Sequence, residues 1–318
     1  MQVFNHTLSQ MLLLFTFLLV GFLLRRLSLL PENADTVLSK AEYFVFVPAI
    51  NLVTQMANAN PTSLSENLPL ILYGLLITIA AVVIAYPLSR LFVKDSSEGG
   101  AYTRNVYKYA LAIGNFGFLG IPLVLGVWGS EMLFKYTLFT FFLTIVVNTW
   151  GLYILVPRKK GDSVWRSLLR GLLNPPLIAL LIGILLGLFN LSRFVPEFLH
   201  KALSSASDCQ GPVAMLLAGF VVGGYKIRDM VTNVKVYIVT ALRLVVIPAA
   251  MLCVLRLFRA SDELMIFTLV AFAAPLGLNT IVYPAAHGGE TRTGAAMAAI
   301  SHTLSVITIP LMYLIFIA

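Results

Sequence analysis

The chain has 318 residues, of which 59% are hydrophobic and 11% charged, against roughly 25% charged in an ordinary soluble domain. That balance excludes a soluble core, and about ten spans of roughly 20 residues each would leave no room for a separate extramembrane domain. The formal charge of +8 comes from Lys and Arg gathered between apolar runs, where they report topology rather than a nucleic-acid surface. Cys209 and Cys253 lack metal-ligand spacing and read as packing residues.

The first apolar run, Met11 to Leu24, has no Lys or Arg ahead of it and Arg25 and Arg26 behind it. That polarity is the reverse of a cleaved signal and reads as an uncleaved first helix with its N-terminus outside. Hydropathy then predicts spans at about 8–25, 36–58, 67–92, 105–128, 132–156, 168–190, 197–223, 233–257, 264–286 and 293–317. Of the 22 Lys and Arg, fifteen fall on the inward connections and helix ends and five on the outward ones, with Lys40 and Arg243 inside spans. The bias predicts a multi-pass protein of the inner or plasma membrane with both termini outside.

The stretch around Arg158-Lys159-Lys160-Gly161 divides the chain into 1–156, a cytoplasmic link at 157–166, and 167–318. The halves echo each other weakly. Leu19-Val20-Gly21-Phe22-Leu23 ahead of Pro31-Glu32 matches Leu185-Leu186-Gly187-Leu188-Phe189 ahead of Pro196-Glu197, and the region of Pro48 matches that of Pro212. Five helices per half is an odd number, so similar halves must lie in opposite orientations, the inverted repeat of many secondary transporters.

Spans four and nine occupy matching places and both carry helix breakers. The fourth holds Gly114-Asn115-Phe116-Gly117-Phe118-Leu119-Gly120-Ile121-Pro122, and the ninth holds Pro275-Leu276-Gly277-Leu278-Asn279-Thr280 with Pro284 beyond. Proline removes a donor and glycine eases departure from helical geometry, so each span is expected to unwind near mid-membrane. Half-helix N-termini then suit an anion. Asn115 and Asn279, one in each break, add amide groups without placing a charge in the bilayer. Gly114, Asn115, Gly117, Pro122, Pro275, Gly277, Asn279 and Thr280 are the expected substrate-binding set.

Four further residues are candidates for coupling or support. Asn51 near Pro48, and Asp208 and Gln210 near Pro212, are polar groups at matched kinks. Asp208 is either a proton carrier facing a cavity or an N-cap ahead of Pro212. His302 is either a proton relay or a packed interhelical hydrogen-bonder. Gly183-x-x-x-Gly187 and Gly219-x-x-x-Gly223 permit close helix approach.

At both breaks the sequence resembles the auxin efflux carrier family, which includes bacterial dicarboxylate permeases and the plant auxin carriers. The resemblance rests on 114–122, on Ala273-Ala274-Pro275 through Thr291-Arg292-Thr293-Gly294 to Ile309-Pro310-Leu311, and on Pro48 and the 213–219 run. It implies an all-α fold of ten transmembrane helices as two inverted five-helix repeats, with helices four and nine crossing at their breaks. It further implies a scaffold of helices one, two, six and seven, a moving unit of the other six, and a homodimer formed through the scaffold. On that mapping Asn115 takes the place of the crossover asparagine and Pro275 that of the ninth-helix proline. Asn279-Thr280 departs from the apolar residue and second proline of the plant carriers, and their long cytoplasmic loop is replaced by a short link.

The resulting expectation is a carrier, not an enzyme, with neither cofactor nor metal. It moves a small carboxylate, alone or with a proton. An intramembrane hydrolase lacks paired aspartates or a His-Glu-x-x-His in this sequence. An anion channel and a sodium-coupled symporter of the bile-acid type stay open as alternatives.

Overall fold

In the computed structural model the described residues, 2–93, 100–156, 173–286 and 291–318, form helices joined by short turns, with no strand among them. The helices are α1 (Gln2–Arg26), α2 (Ala34–Asn58), α3 (Pro61–Ser89), α4 (Gly100–Ala112), α5 (Gly120–Phe139), α6 (Phe141–Leu155) and α7 (Pro175–Leu188). There follow α8 (Glu197–Gly223), α9 (Ile227–Val231), α10 (Val234–Leu257), α11 (Asp262–Phe272), α12 (Asn279–Ala286) and α13 (Arg292–Phe316). The link at 157–166 lies outside the described residues.

Helices α1, α2, α3, α8, α10 and α13 are each long and apolar enough to cross a membrane, and α5 with α6, bent by 55°, supplies a seventh candidate. Among the described residues this multi-pass, all-helical chain has fewer full-length spans than the ten expected, because the fourth and ninth regions are each split in two and α7 is a shorter apolar helix.

Local signals set many of the ends. Asn60 and Ser63 form a reciprocal capping box ahead of α3, with Pro61 in its first turn. The Asn174 side chain caps α7 ahead of Pro175 and Pro176, and Ser261 caps α11, whose first turn carries Asp262 and Glu263. In α2 and α10 a π-helical turn, Glu42–Phe46 and Leu242–Val246, directly precedes the segments beginning Val47-Pro48 and Ile247-Pro248. The wider turn accommodates a ring that cannot donate to the helix ladder.

α5 is a hairpin rather than one rod. Gly129 sits inside it at φ +84°, ψ −176°, a conformation almost confined to glycine. The Tyr136 hydroxyl donates to the Phe116 carbonyl at 3.0 Å, although a straight helix would carry residue 136 about 24 Å beyond Gly120. The arm 120–128 therefore runs out, and the arm from 130 runs back beside it.

Glycine stripes lock neighbouring helices. A Cβ at Gly21 would strike the Leu216 carbonyl and one at Gly219 the Leu18 carbonyl, which seats α1 along α8. Gly183 and Gly187 lie against the Leu52 and Ala59 carbonyls, with added Cβ atoms at 2.8 and 2.5 Å, which seats α7 along α2. Both stripes act in packing, as expected. The cysteines do not: Cys209 and Cys253 are free and exposed, because their positions fall on the outward faces of α8 and α10.

Candidate functional site

The chain leaves helical geometry at 113–119, between α4 and α5, and at 273–278, between α11 and α12. The two unwound stretches cross. Gly114 pairs antiparallel with Leu276, and the Asn115 amide donates to the Pro275 carbonyl at 2.7 Å. Gly114 is required at this point, because a Cβ would come within 2.5 Å of Arg243 Nη2 and 2.8 Å of the Ala274 carbonyl. Gly117, by contrast, faces open space.

Each break ends in a new helix start. The Asn115 carbonyl accepts from the Leu119 and Gly120 amides at 3.1 and 3.2 Å, so Asn115 begins the arm 120–128 with its main chain. Among the described residues the amides of Phe116, Gly117 and Phe118, the first donors of that turn, have no main-chain acceptor. At the second break Gly277 accepts from the Thr280 amide at 3.2 Å and from Thr280 Oγ1 at 2.9 Å.

The helix ends that approach the crossing are closed by one side chain. Arg243, wholly buried on α10, donates to the Ala271 carbonyl at 3.1 Å and lies 3.4 Å from the Leu111 and Ala112 carbonyls. Its guanidinium also sits over the Phe272 ring, 5.5 Å from the centroid. One cation thus covers the C-termini of both α4 and α11, where the helix dipoles place partial negative charge. Among the described residues Arg243 has no carboxylate partner.

A cavity of about 640 Å³ reaches the crossing. It is lined there by Gly114, Asn115, Gly117, Gly277 and Asn279, and by Asn51, whose Nδ2 donates to the Pro176 carbonyl at 2.9 Å. Thr137, Thr140, Thr144 and Asn148 descend one wall, and Asp35, Lys40 and Tyr43 stand at the starting end of α2. The remaining lining is mostly apolar, as in small-molecule pockets generally.

Both asparagines are held from behind. Asn279 Nδ2 donates to Tyr109 Oη at 2.8 Å, and Asn115 Nδ2 lies 3.1 Å from His302 Nε2. His302 Nδ1 lies 2.8 Å from the Ala298 carbonyl. Thr280 and His302 are buried beside the crossing rather than in the cavity wall. Pro275 contributes its carbonyl to the crossing, and Pro122 packs against Gly211 on α8 with its carbonyl accepting from Gln10.

Gln210 is fully buried, and neither of its amide atoms has a partner among the described residues. It lies outside the cavity lining. Asp208 stands apart from the site. α8 starts at Glu197 after Pro196, so Asp208 is well inside the helix rather than at its cap, and it is exposed rather than turned to the cavity.

Sequence reasoning passed over Arg243, Tyr109 and the polar wall of the fifth region. Arg243 had a readable signal, a lone cation in an apolar span. Thr137, Thr140, Thr144 and Asn148 recur at three- and four-residue spacing, which marks one helix face. Glu42, buried on α2 with neither carboxyl oxygen bonded among the described residues, was also missed.

The model of a family described as membrane transport protein matches residues 6–313. An uncharacterized transporter of Methanothermobacter thermautotrophicus is 25% identical over 247 residues, 78% of this chain and 78% of its own length. An uncharacterized transporter of Methanocaldococcus jannaschii is 26% identical over 212 residues, 65% of this chain and 66% of its own length. With nearly its whole length matched, broken apolar helices and a cavity at their crossing, the chain belongs to the membrane transport protein family, that of the auxin efflux carriers.

Proposed function

We propose that this chain is a secondary transporter that exposes one midplane site alternately to each side of a cell membrane and carries a small organic carboxylate. The observation that carries the reading is the crossing itself. The amides of Phe116, Gly117 and Phe118, which have no main-chain acceptor among the described residues, open the arm 120–128 at the cavity, and Arg243, without a carboxylate partner among them, lies against Gly114. Helix N-termini and a desolvated cation favour an anion. The carbonyls that could hold sodium at the ends of α4 and α11 already accept from Arg243, which favours a proton, or no ion, over sodium.

In this reading the ten spans are α1, α2, α3, the broken 100–128, the returning 130–155, α7, α8, α10, the broken 262–286 and α13. The turn at Gly129 supports counting 100–128 and 130–155 as two spans, and the paired breaks support two inverted halves, 1–156 and 167–318, about a short link. The N-terminus and C-terminus lie outside by the positive-inside bias. The cavity then opens to the cytoplasm, because its mouth carries Asp35 and Lys40 at the start of α2. A homodimer through the exposed face of α8 covers Asp208, an acid that lipid solvates poorly.

The test is uptake and counterflow of labelled malonate, malate and indole-3-acetate in proteoliposomes, with and without imposed proton and sodium gradients. Saturable flux with counterflow, reduced at least tenfold in Asn115→Ala, is expected. Flux that survives Asn115→Ala unchanged removes the site. Flux without saturation makes the protein a channel.

A further inference from the structure

The hydrogen bonds behind Asn115 fix more than its position. A carbonyl oxygen only accepts, so the 2.8 Å contact with the Ala298 carbonyl places a proton on His302 Nδ1. In the neutral ring Nε2 then carries a lone pair and must accept. Its partner at 3.1 Å is therefore the amide NH₂ of Asn115, and Asn115 Oδ1 is the end left to the cavity that Asn115 lines. That is the wrong end for an anion, which needs donors. Placing a second proton on the ring reverses the arrangement. Nε2 becomes a donor, the NH₂ group can no longer satisfy it, and the amide must turn over, giving Oδ1 to His302 and NH₂ to the cavity.

We propose that His302 is a proton-operated positioning residue that turns the Asn115 amide, so that one proton and one carboxylate bind together and leave together. This rests on the reading of Asn115 as part of a carboxylate site. The proton adds to Nε2 as the anion arrives, and it departs from Nε2 when the anion is released on the other side. No bond of the substrate is made or broken. Each ligand stabilises the arrangement the other needs: the anion offsets the charge on a ring that is only 2% exposed, and the charged ring supplies the anion with its donor.

Among the described residues the His302 ring bonds the Asn115 amide and the Ala298 carbonyl. The titratable groups gathered round the crossing are Arg243 from α10, Tyr109 from α4, Tyr136 from α5 and Tyr283 from α12. Tyr109 takes the Asn279 amide and Tyr136 donates to Phe116. On the other helices packed against α13, His6 of α1, Asp208 of α8, Arg228 of α9 and Asp262 of α11 are exposed, Arg25 and Arg26 of α1 bond the Glu32 and Tyr225 carbonyls, and Glu263 is partly exposed and paired with Lys135 at 2.8 Å. None of these carboxylates reaches His302 among the described residues.

The experiment is the pH dependence of the apparent KM for labelled malonate, malate and indole-3-acetate in proteoliposomes between pH 7 and 8.5, where free carboxylates of ordinary pKa are ionised. Binding takes up a proton, so the affinity of the native protein strengthens as pH falls, by about tenfold per pH unit. In His302→Gln, whose amide can either accept from or donate to the Asn115 side chain but takes up no proton in this range, KM is expected to be flat. A slope that persists in His302→Gln, as it would if the neutral acid were the species carried, overturns the proposal, and so does a flat native profile.

Should His302→Gln fail to fold, ¹⁵N NMR of histidine-labelled native protein decides. Saturating carboxylate must convert a ring with bare Nε2 to one with both nitrogens protonated, and an unchanged ring overturns the proposal. The carboxylate reading fails separately: flux that is indifferent to Asn115→Ala, or no flux of any of the three acids, removes that reading and this inference with it.

Discussion

Two glycines three positions apart show how finely single residues are placed. Gly114 touches Arg243 and the Ala274 carbonyl, whereas Gly117 faces the cavity with nothing within 4 Å of an added Cβ. Gly114→Ala is therefore expected to push the two broken stretches apart, with a loss of about 1–3 kcal/mol as in overpacking generally. Gly117→Ala should leave the melting temperature in detergent within about 2 °C, roughly the shift of a change below 0.5 kcal/mol, while raising KM for the carried solute. Equal melting temperatures for the two variants would contradict the crossing geometry. Arg243 explains why the chain tolerates a buried cation here. Leaving the Leu111, Ala112 and Ala271 carbonyls bare would cost about 1–3 kcal/mol each, and a single guanidinium reaches all three.

At the scale of elements, α5 depends on one turn. Gly129 has open space around an added Cβ, so Gly129→Ala tests backbone strain alone, and a loss of about 1–3 kcal/mol is expected. Thermal unfolding in detergent measures it, and an unshifted transition would mean that the two arms do not depend on that conformation. This turn was legible in the sequence as the gap between spans predicted at 105–128 and 132–156. The long helices were legible too, because 20-residue apolar runs have few alternative structures in a membrane. α8 was placed at 197–223, where it lies.

The breaks at 113–119 and 273–278 were legible because proline and glycine act locally. Partnerships were not. Nothing in the spacing of Arg243 to Ala271, or of Asn115 to His302, shows which buried groups will meet, since that follows from how helices pack after they form. Asp208 misled for a related reason. A sequence shows that an acid sits near Pro212, but not which side of a long helix it faces.

At the scale of the whole molecule, the cavity and the exposed face of α8 make separate demands. With Cys209 and Cys253 replaced, Asn148→Cys on the cavity wall should react with a membrane-impermeant thiol reagent from the cytoplasmic side and be protected by the carried solute. Labelling from the outer side instead would reverse the assigned orientation. With Cys209 retained and Cys253 replaced, a short bifunctional thiol reagent should join two copies across a two-fold interface. No joined species in native membranes would argue against α8 as that interface. The bond at the crossing, from the Asn115 amide to the Pro275 carbonyl, uses main-chain atoms only. Such a joint depends on the missing side chain of Gly114 but not on those that line the cavity, so Thr137, Thr140, Thr144, Asn148 and Asn279 can be exchanged to suit a different cargo while the hinge-pin of the machine stays as it is.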